Sequence, residues 1–127
     1  MPGKVEDLRV VKEVDQSPDL SFLEDEGRYK GVSAAQASKY RKQDQERLAT
    51  YGDRWVMVGL WIEVHVNVGG TIQVIRTPGL WGIESDSKES YFRSIARDEY
   101  AQLKDILKQM GIRSVPPLSS AEWVDQG

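Results

Sequence analysis

His65 is the only histidine in the chain, and histidine is the residue type most used for general acid–base work near neutrality. Glu63 stands two residues before it. In an extended strand this spacing puts both on one face, where the carboxylate would orient the imidazole as a general base. A hydrolase built on that pair would draw its nucleophile from Ser85 or Ser87. Neither serine sits in a Gly-x-Ser-x-Gly elbow. The plainer reading is a solvated strand histidine beside a charge pair.

Glu84 and Asp86, with Glu89, form an acidic group that would suit Mg²⁺. The same acids suit the positive N-terminus of a helix. They would repel a phosphate from that end, and no Walker or dinucleotide motif is present. The absence of cysteine removes disulfides and thiolate chemistry, and one histidine removes multi-histidine metal sites. No cofactor is expected and no metal is assigned.

Two further groups suggest recognition rather than catalysis. Glu24, Asp25 and Glu26 form an acidic run, offered to a basic partner or lying against basic residues of the same molecule. Trp123 lies on a proline-led polar tail with nothing nearby in sequence to bury it. It reads either as an anchor for a partner or as a ring folded back on its own domain. Lys39, Arg41, Lys42 and Arg47 give one helix a basic character. A formal charge of -3 argues against a chain built mainly to neutralise nucleic-acid phosphates.

The elements that position these residues follow from periodicity. Residues 54–68 alternate without interruption: Val56, Val58, Leu60, Ile62, Val64, Val66 and Val68 share one face. The other face carries Trp55, Met57, Gly59, Trp61, Glu63, His65 and Asn67. It starts aromatic and ends polar, as expected if a helix covers only one end of it. Gly69-Gly70 is a two-residue hairpin turn, and residues 71–77 return. This turn predicts Val68 opposite Thr71, His65 opposite Val74, and Glu63 opposite Arg76 as a cross-strand ion pair.

Residues 34–51, capped by Ser33, read as a mostly exposed helix held by Tyr40, Leu48 and Tyr51. Residues 88–110 carry an apolar stripe from Phe92 through Ile95, Ala96, Tyr100, Leu103 and Leu107 to Met110. Asp86 and Glu89 match a capping box for that helix. The segment 4–14 fits a helix, with Val5, Leu8 and Val11 on one side, or equally an edge strand. Residues 80–83 form a third strand or pass under the sheet. Leu20, Phe22 and Leu23 form an apolar latch.

Charge divides the first half of the chain. Residues 1–27 hold three bases against eight acids, a net of -5, and residues 28–52 hold six against two, a net of +4. The expected organisation is an acidic N-terminal arm (1–17), one α+β domain (18–112) and an extended C-terminal tail (113–127). The domain is a small antiparallel sheet around the 54–68/71–77 hairpin, with two packed helices at about 33–51 and 88–110. The N-terminal segment or residues 80–83 supply the third strand that a hairpin needs to stand. No apolar run has the length of a membrane span and no targeting segment is visible, so a cytoplasmic protein is expected.

The run GLWGIESDS (79–87), followed by YFRSIARDEYAQLKDILKQMGI (91–112), together with PDLSFLE (18–24) and the helix leading into Arg54-Trp55, resembles an uncharacterised group of small proteins from bacteria and their phages. The resemblance covers about 18–112. It implies a phage or mobile-element accessory protein acting in a bacterial host, and it brings no catalytic residue with it. The leading reading is a non-catalytic binding protein that modulates or inhibits a host protein, such as a component of bacterial defence. Its contacts would be Glu24, Asp25, Glu26 and Trp123. A small hydrolase using His65 and Glu63 is the first alternative, and a nucleic-acid accessory protein using the basic helix the second. The exposed hairpin edge also permits a homodimer through strand pairing.

Overall fold

The computed structural model describes residues 3–126. Five strands and two long helices form an α+β fold: β1 (Lys4–Val14), α1 (Ala34–Ala49), β2 (Met57–Val68), β3 (Thr71–Arg76), β4 (Leu80–Glu84), α2 (Glu89–Gln109) and β5 (Glu122–Gln126). Short 3-10 turns occupy Ser21–Glu24, Glu26–Tyr29 and Leu118–Ser120.

The sheet is organised around β2. Its alternating residues Val58, Leu60, Ile62, Val64 and Val66 are buried with Phe92, Ile95, Ala96, Leu103 and Leu107 of α2 in one core. β1 runs antiparallel along one edge of β2. The other edge is shared: β3 pairs with its C-terminal half and β4 with its N-terminal half. The hairpin register is the expected one, with Glu63 opposite Arg76, His65 opposite Val74 and Val68 opposite Thr71. Gly69 and Gly70 both have positive φ, 60° and 90°, as a tight turn that follows strand twist requires.

Thr77 closes the seam between β3 and β4. It is fully buried, its N–H donates to the Ile62 carbonyl at 2.9 Å, and its Oγ1 accepts from the Ile62 N–H at 3.0 Å. The residue thereby stands in for a rung of the ladder where the chain changes direction toward Pro78.

Three expectations change. The acidic segment is not an arm but strand β1, with Val5, Leu8 and Val10 in the main core. Its register shifts between Val5 and Asp7. The extra residue of that bulge moves Leu8 onto the same face as Val5. A spacing of three, which reads as helical in sequence, is therefore a strand with one irregularity. The tail is not loose either. Residues Glu122–Gln126 add to the outer edge of β1 in parallel, with Val10 beside Trp123 and Val11 beside Val124. The sheet is consequently mixed, not purely antiparallel. Tyr100 fixes the approach to β5 by donating its hydroxyl to the Pro116 carbonyl. Val115, Leu118 and Ala121 pack against the core. The third correction concerns Asp86, which does not cap α2. Lys88 occupies the N-cap without a side-chain bond, because the Asp86 carboxylate is held by Arg47.

The second face of β2 is covered at one end, as its aromatic-to-polar gradient predicts. Leu23, Trp55 and Met57 form a smaller core with Leu20, Leu48 and Tyr51. Leu48 and Tyr51 therefore hold α1, whereas Tyr40 is exposed. Residues 80–83 resolve as β4. Trp81 from that strand lies over Gly59, where a Cβ would come within 2.4 Å of its ring.

Glu99 departs from the apolar pattern of α2. It is 5% exposed; Oε2 accepts from Gln102 Nε2 at 2.9 Å, while Oε1 has no partner among the described residues. A buried carboxylate satisfied on one oxygen opposes folding. Replacing Glu99 by Leu is expected to raise stability by about 1–2 kcal/mol, read as a higher urea midpoint at unchanged m-value. Thr77→Val has the opposite sign. It keeps the side-chain volume but strands the buried Ile62 N–H, and should cost about 1–3 kcal/mol in the same titration.

Candidate functional site

β2 and β1 position the candidate catalytic pair. His65 lies between two carboxylates, with Nδ1 3.6 Å from Asp7 Oδ2 and Nε2 3.9 Å from Glu63 Oε1. Both distances exceed hydrogen-bonding range. Glu63 also approaches Arg9 at 3.8 Å. Arg9 in turn lies 3.7 Å from Asp7 and 3.9 Å from Glu122. His65 is thus one member of a spread charge network across β5, β1 and β2.

The two serines are elsewhere. Ser85 Oγ accepts from the Val56 N–H at 2.9 Å, and Ser87 Oγ donates to the Glu84 carbonyl at 2.6 Å. Val56 and His65 are nine positions apart along extended chain, roughly 30 Å at about 3.3 Å per residue. The fold does not bring either hydroxyl to His65.

The expected ion pair of Glu63 with Arg76 also takes a different form. The two are in register, but Arg76 lies over the Trp61 ring, 4.0 Å from its centroid. Trp81 packs on the same ring at 5.7 Å. A guanidinium gains more against a shielded indole face than in an exposed ion pair. The stacking of Trp61, Trp81 and Arg76, on the face that also carries exposed Ile72 and Val74, is not predicted by the sequence pattern. Gly59 in an otherwise bulky strand was the available signal, since it leaves room for Trp81.

One member of the acidic run, Glu26, is ion-paired within the molecule. Asp25 accepts from the Gly27 N–H at 2.9 Å. Glu26 takes Arg41 through both oxygens, each 3.0 Å from Nε. Glu24 borders a cleft shared with Leu23, Glu26, Tyr29, Arg41 and Leu48. Asp44 of α1 is bonded by the Tyr29 hydroxyl and paired with Arg28 at 3.0 Å. Asp44 also draws the Tyr29 phenol above its ordinary pKa, because the hydroxyl donates to the carboxylate. The acidic segment thus meets the basic one through Glu26 and Arg41.

Glu84 and Asp86 hold a cation, and that cation is Arg47. Its Nη1 and Nη2 each lie 2.7 Å from an Asp86 oxygen. Nε and Nη2 reach Glu84 Oε1 at 3.2 and 3.0 Å. The guanidinium lies over the buried Trp55 ring at 3.8 Å, while Trp55 Nε1 donates to the Arg47 carbonyl at 2.8 Å. The acids of the GLWGIESDS run therefore fasten α1 to the turn before α2. Among the described residues no group of three or more His, Cys, Asp or Glu is arranged to hold a metal.

Trp123 has a setting open to a partner. It sits on β5, at an edge of the sheet, and is 39% exposed. Its ring lines a groove of about 580 Å³ between β5 and α2, with Arg93, Ala96, Arg97, Leu118 and Ser119. Arg93 makes only an exposed contact with Glu89 at 3.6 Å. Arg97 has no ion-pair partner among the described residues. No helix of the described residues is long and apolar enough to cross a membrane. No family model, curated protein or solved structure matches this chain.

The Arg47 clamp carries a pH dependence. Its hydrogen bonds hold the Asp86 carboxyl below its ordinary value of 3.8. The unfolded chain therefore takes up this proton first as pH falls. The stabilisation is complete above about pH 5 and is lost as pH drops below 4 through the depressed folded value. Arg47→Ala should cost about 1–3 kcal/mol at neutral pH, through the ion pairs and the Trp55 stack together. Asp86→Asn should reproduce the carboxylate share alone. Unfolding titrations at pH 7 and pH 2.5 check this: the gap between wild type and Asp86→Asn narrows at the lower pH.

Proposed function

We propose that this chain is a non-catalytic binding protein, a phage or mobile-element accessory protein that engages and modulates a protein of its bacterial host, such as a defence component. The observation that carries the reading is the position of Trp123. A large amphipathic side chain, part-exposed on an edge strand beside an open groove, is the kind of residue that dominates protein interfaces. The edge itself offers backbone hydrogen bonding to an incoming chain.

The rest of the molecule supports this reading over its alternatives. His65 and Glu63 have no serine within reach. Arg41 and Arg47 of the basic helix are paired with acids of the same chain, which leaves Lys39 and Lys42 as its uncommitted cations and weakens a nucleic-acid role. Glu26 and Asp25 are engaged internally, so the weight of the proposed contact falls on Trp123. The resemblance carried by GLWGIESDS supplies the phage context.

Affinity capture from bacterial host lysate tests the reading with three tagged full-length proteins. Wild type is expected to retain one host protein in stoichiometric amount. Trp123→Ala, with an unchanged circular dichroism spectrum, is expected to lose it, and His65→Ala to keep it. Retention by Trp123→Ala, or loss with His65→Ala alone, overturns the proposal.

A further inference from the structure

The groove beside Trp123 has a chemistry that specifies its occupant. Its floor is Trp123, Ala96 and Leu118, and its helical wall carries Arg93 and Arg97. Four residues of helix separate the two arginines by about 6 Å along the axis, and both side chains are exposed. In an extended chain, side chains two residues apart stand about 6.6 Å apart on one side. Two carboxylates at that spacing match the two guanidiniums. None of the residues lining the groove is acidic. Glu122, the nearest acid in sequence, pairs with Arg9, and in a strand it points to the face opposite Trp123. Asp125 is taken by Lys12 at 3.6 Å.

The strand edge provides the second half of the match. Among the described residues β5 pairs only with β1. Its outer side therefore presents backbone donors and acceptors along Glu122–Gln126. An extended segment lying there would gain main-chain hydrogen bonds from β5 and charge-assisted bonds from Arg93 and Arg97 in one pose.

Resting on the binding role of Trp123, we propose that the partner offers an acidic extended segment, with Glu or Asp at alternate positions, which adds to the outer edge of β5 under Arg93 and Arg97. The stems of the acidic side chains cover the Trp123 ring while their carboxylates meet the arginines. A protein segment is favoured over single-stranded nucleic acid. The open strand edge matches a peptide backbone, which a nucleic-acid strand does not supply.

The test uses the full-length protein and a fluorescein-labelled decapeptide alternating Glu with Val or Thr. The controls are the same peptide with Lys for every Glu, and a ten-nucleotide oligothymidylate. Fluorescence anisotropy is expected to show salt-sensitive binding of the Glu peptide and none of the Lys peptide. Arg93→Glu with Arg97→Glu should weaken the Glu peptide by about tenfold or more and create binding of the Lys peptide. Both positions are exposed, so the fold should survive, as circular dichroism would verify. Hydrogen exchange should show new protection confined to Glu122–Gln126 when the Glu peptide is added.

Equal binding of the Glu peptide by wild type and the double variant overturns the proposal, as does absence of binding. Tighter, arginine-dependent binding of the oligothymidylate overturns the peptide assignment in favour of nucleic acid. If the Glu peptide fails while Trp123→Ala still loses the captured host protein, the acidic chemistry falls and the binding role of Trp123 stands.

Discussion

A twelve-residue strand buried at the centre of a sheet must find backbone partners on both edges, because an unpaired buried amide or carbonyl costs as much as a lost hydrogen bond. β2 is that strand, and the remaining elements are arranged by its requirement. β1 satisfies one edge throughout. The other edge is too long for the six-residue β3, so β4 completes it and Thr77 fills the seam between them. β1 then faces the same demand on its outer side, and β5 meets part of it. The α2 stripe closes over the apolar face that results.

Charge plays a complementary, local part. The fold brings together acids and bases that stand apart in the sequence. Glu26 meets Arg41, Asp44 meets Arg28, and Glu84 with Asp86 meet Arg47. The junction with the most hydrogen bonds is the one at Arg47, whose guanidinium also rests on a buried indole. Lower solvent exposure strengthens such contacts relative to pairs free in water. What is left unneutralised is correspondingly informative, and Arg97 on the wall of the Trp123 groove is the clearest instance.

Sequence reading recovers the features written into short stretches. The hairpin register follows from unbroken alternation and two glycines, α2 from its apolar period, and α1 from its helix-forming residues and Ser33 cap. The partial cover of the second face follows from the change from Trp55 to Asn67. The two terminal strands escape it for separate reasons. In β1 a single bulge shifts the apolar phase, so Val5 and Leu8 mimic a helix. In β5 the evidence is long-range: Trp123 and Val124 fall on opposite faces, and only β1, distant in sequence, makes sense of them. Of the site, the residue types were legible and their surroundings were not. Trp123 stands out by composition, whereas Arg93 and Arg97 look like any exposed helix positions until β5 is placed beside them. Asp86 shows the converse, a residue whose local pattern suggests a cap but whose partner lies on another helix.

The parallel pairing of β1 with β5 also dictates an order of events. Arg9 and Glu122 are neighbours across the sheet yet stand near opposite ends of the sequence. Contacts of such wide separation form late, since the intervening chain must first be gathered in. The hairpin, α2 and the β1–β2 pairing involve nearer neighbours and can assemble ahead of them. For a chain emerging from a ribosome, the outer edge of β1 therefore stays bare until Glu122–Gln126 has been made. During that interval it is a template for any extended segment nearby. β5 acts in this sense as an intramolecular stopper, withdrawing from circulation an adhesive edge that the earlier steps of folding create.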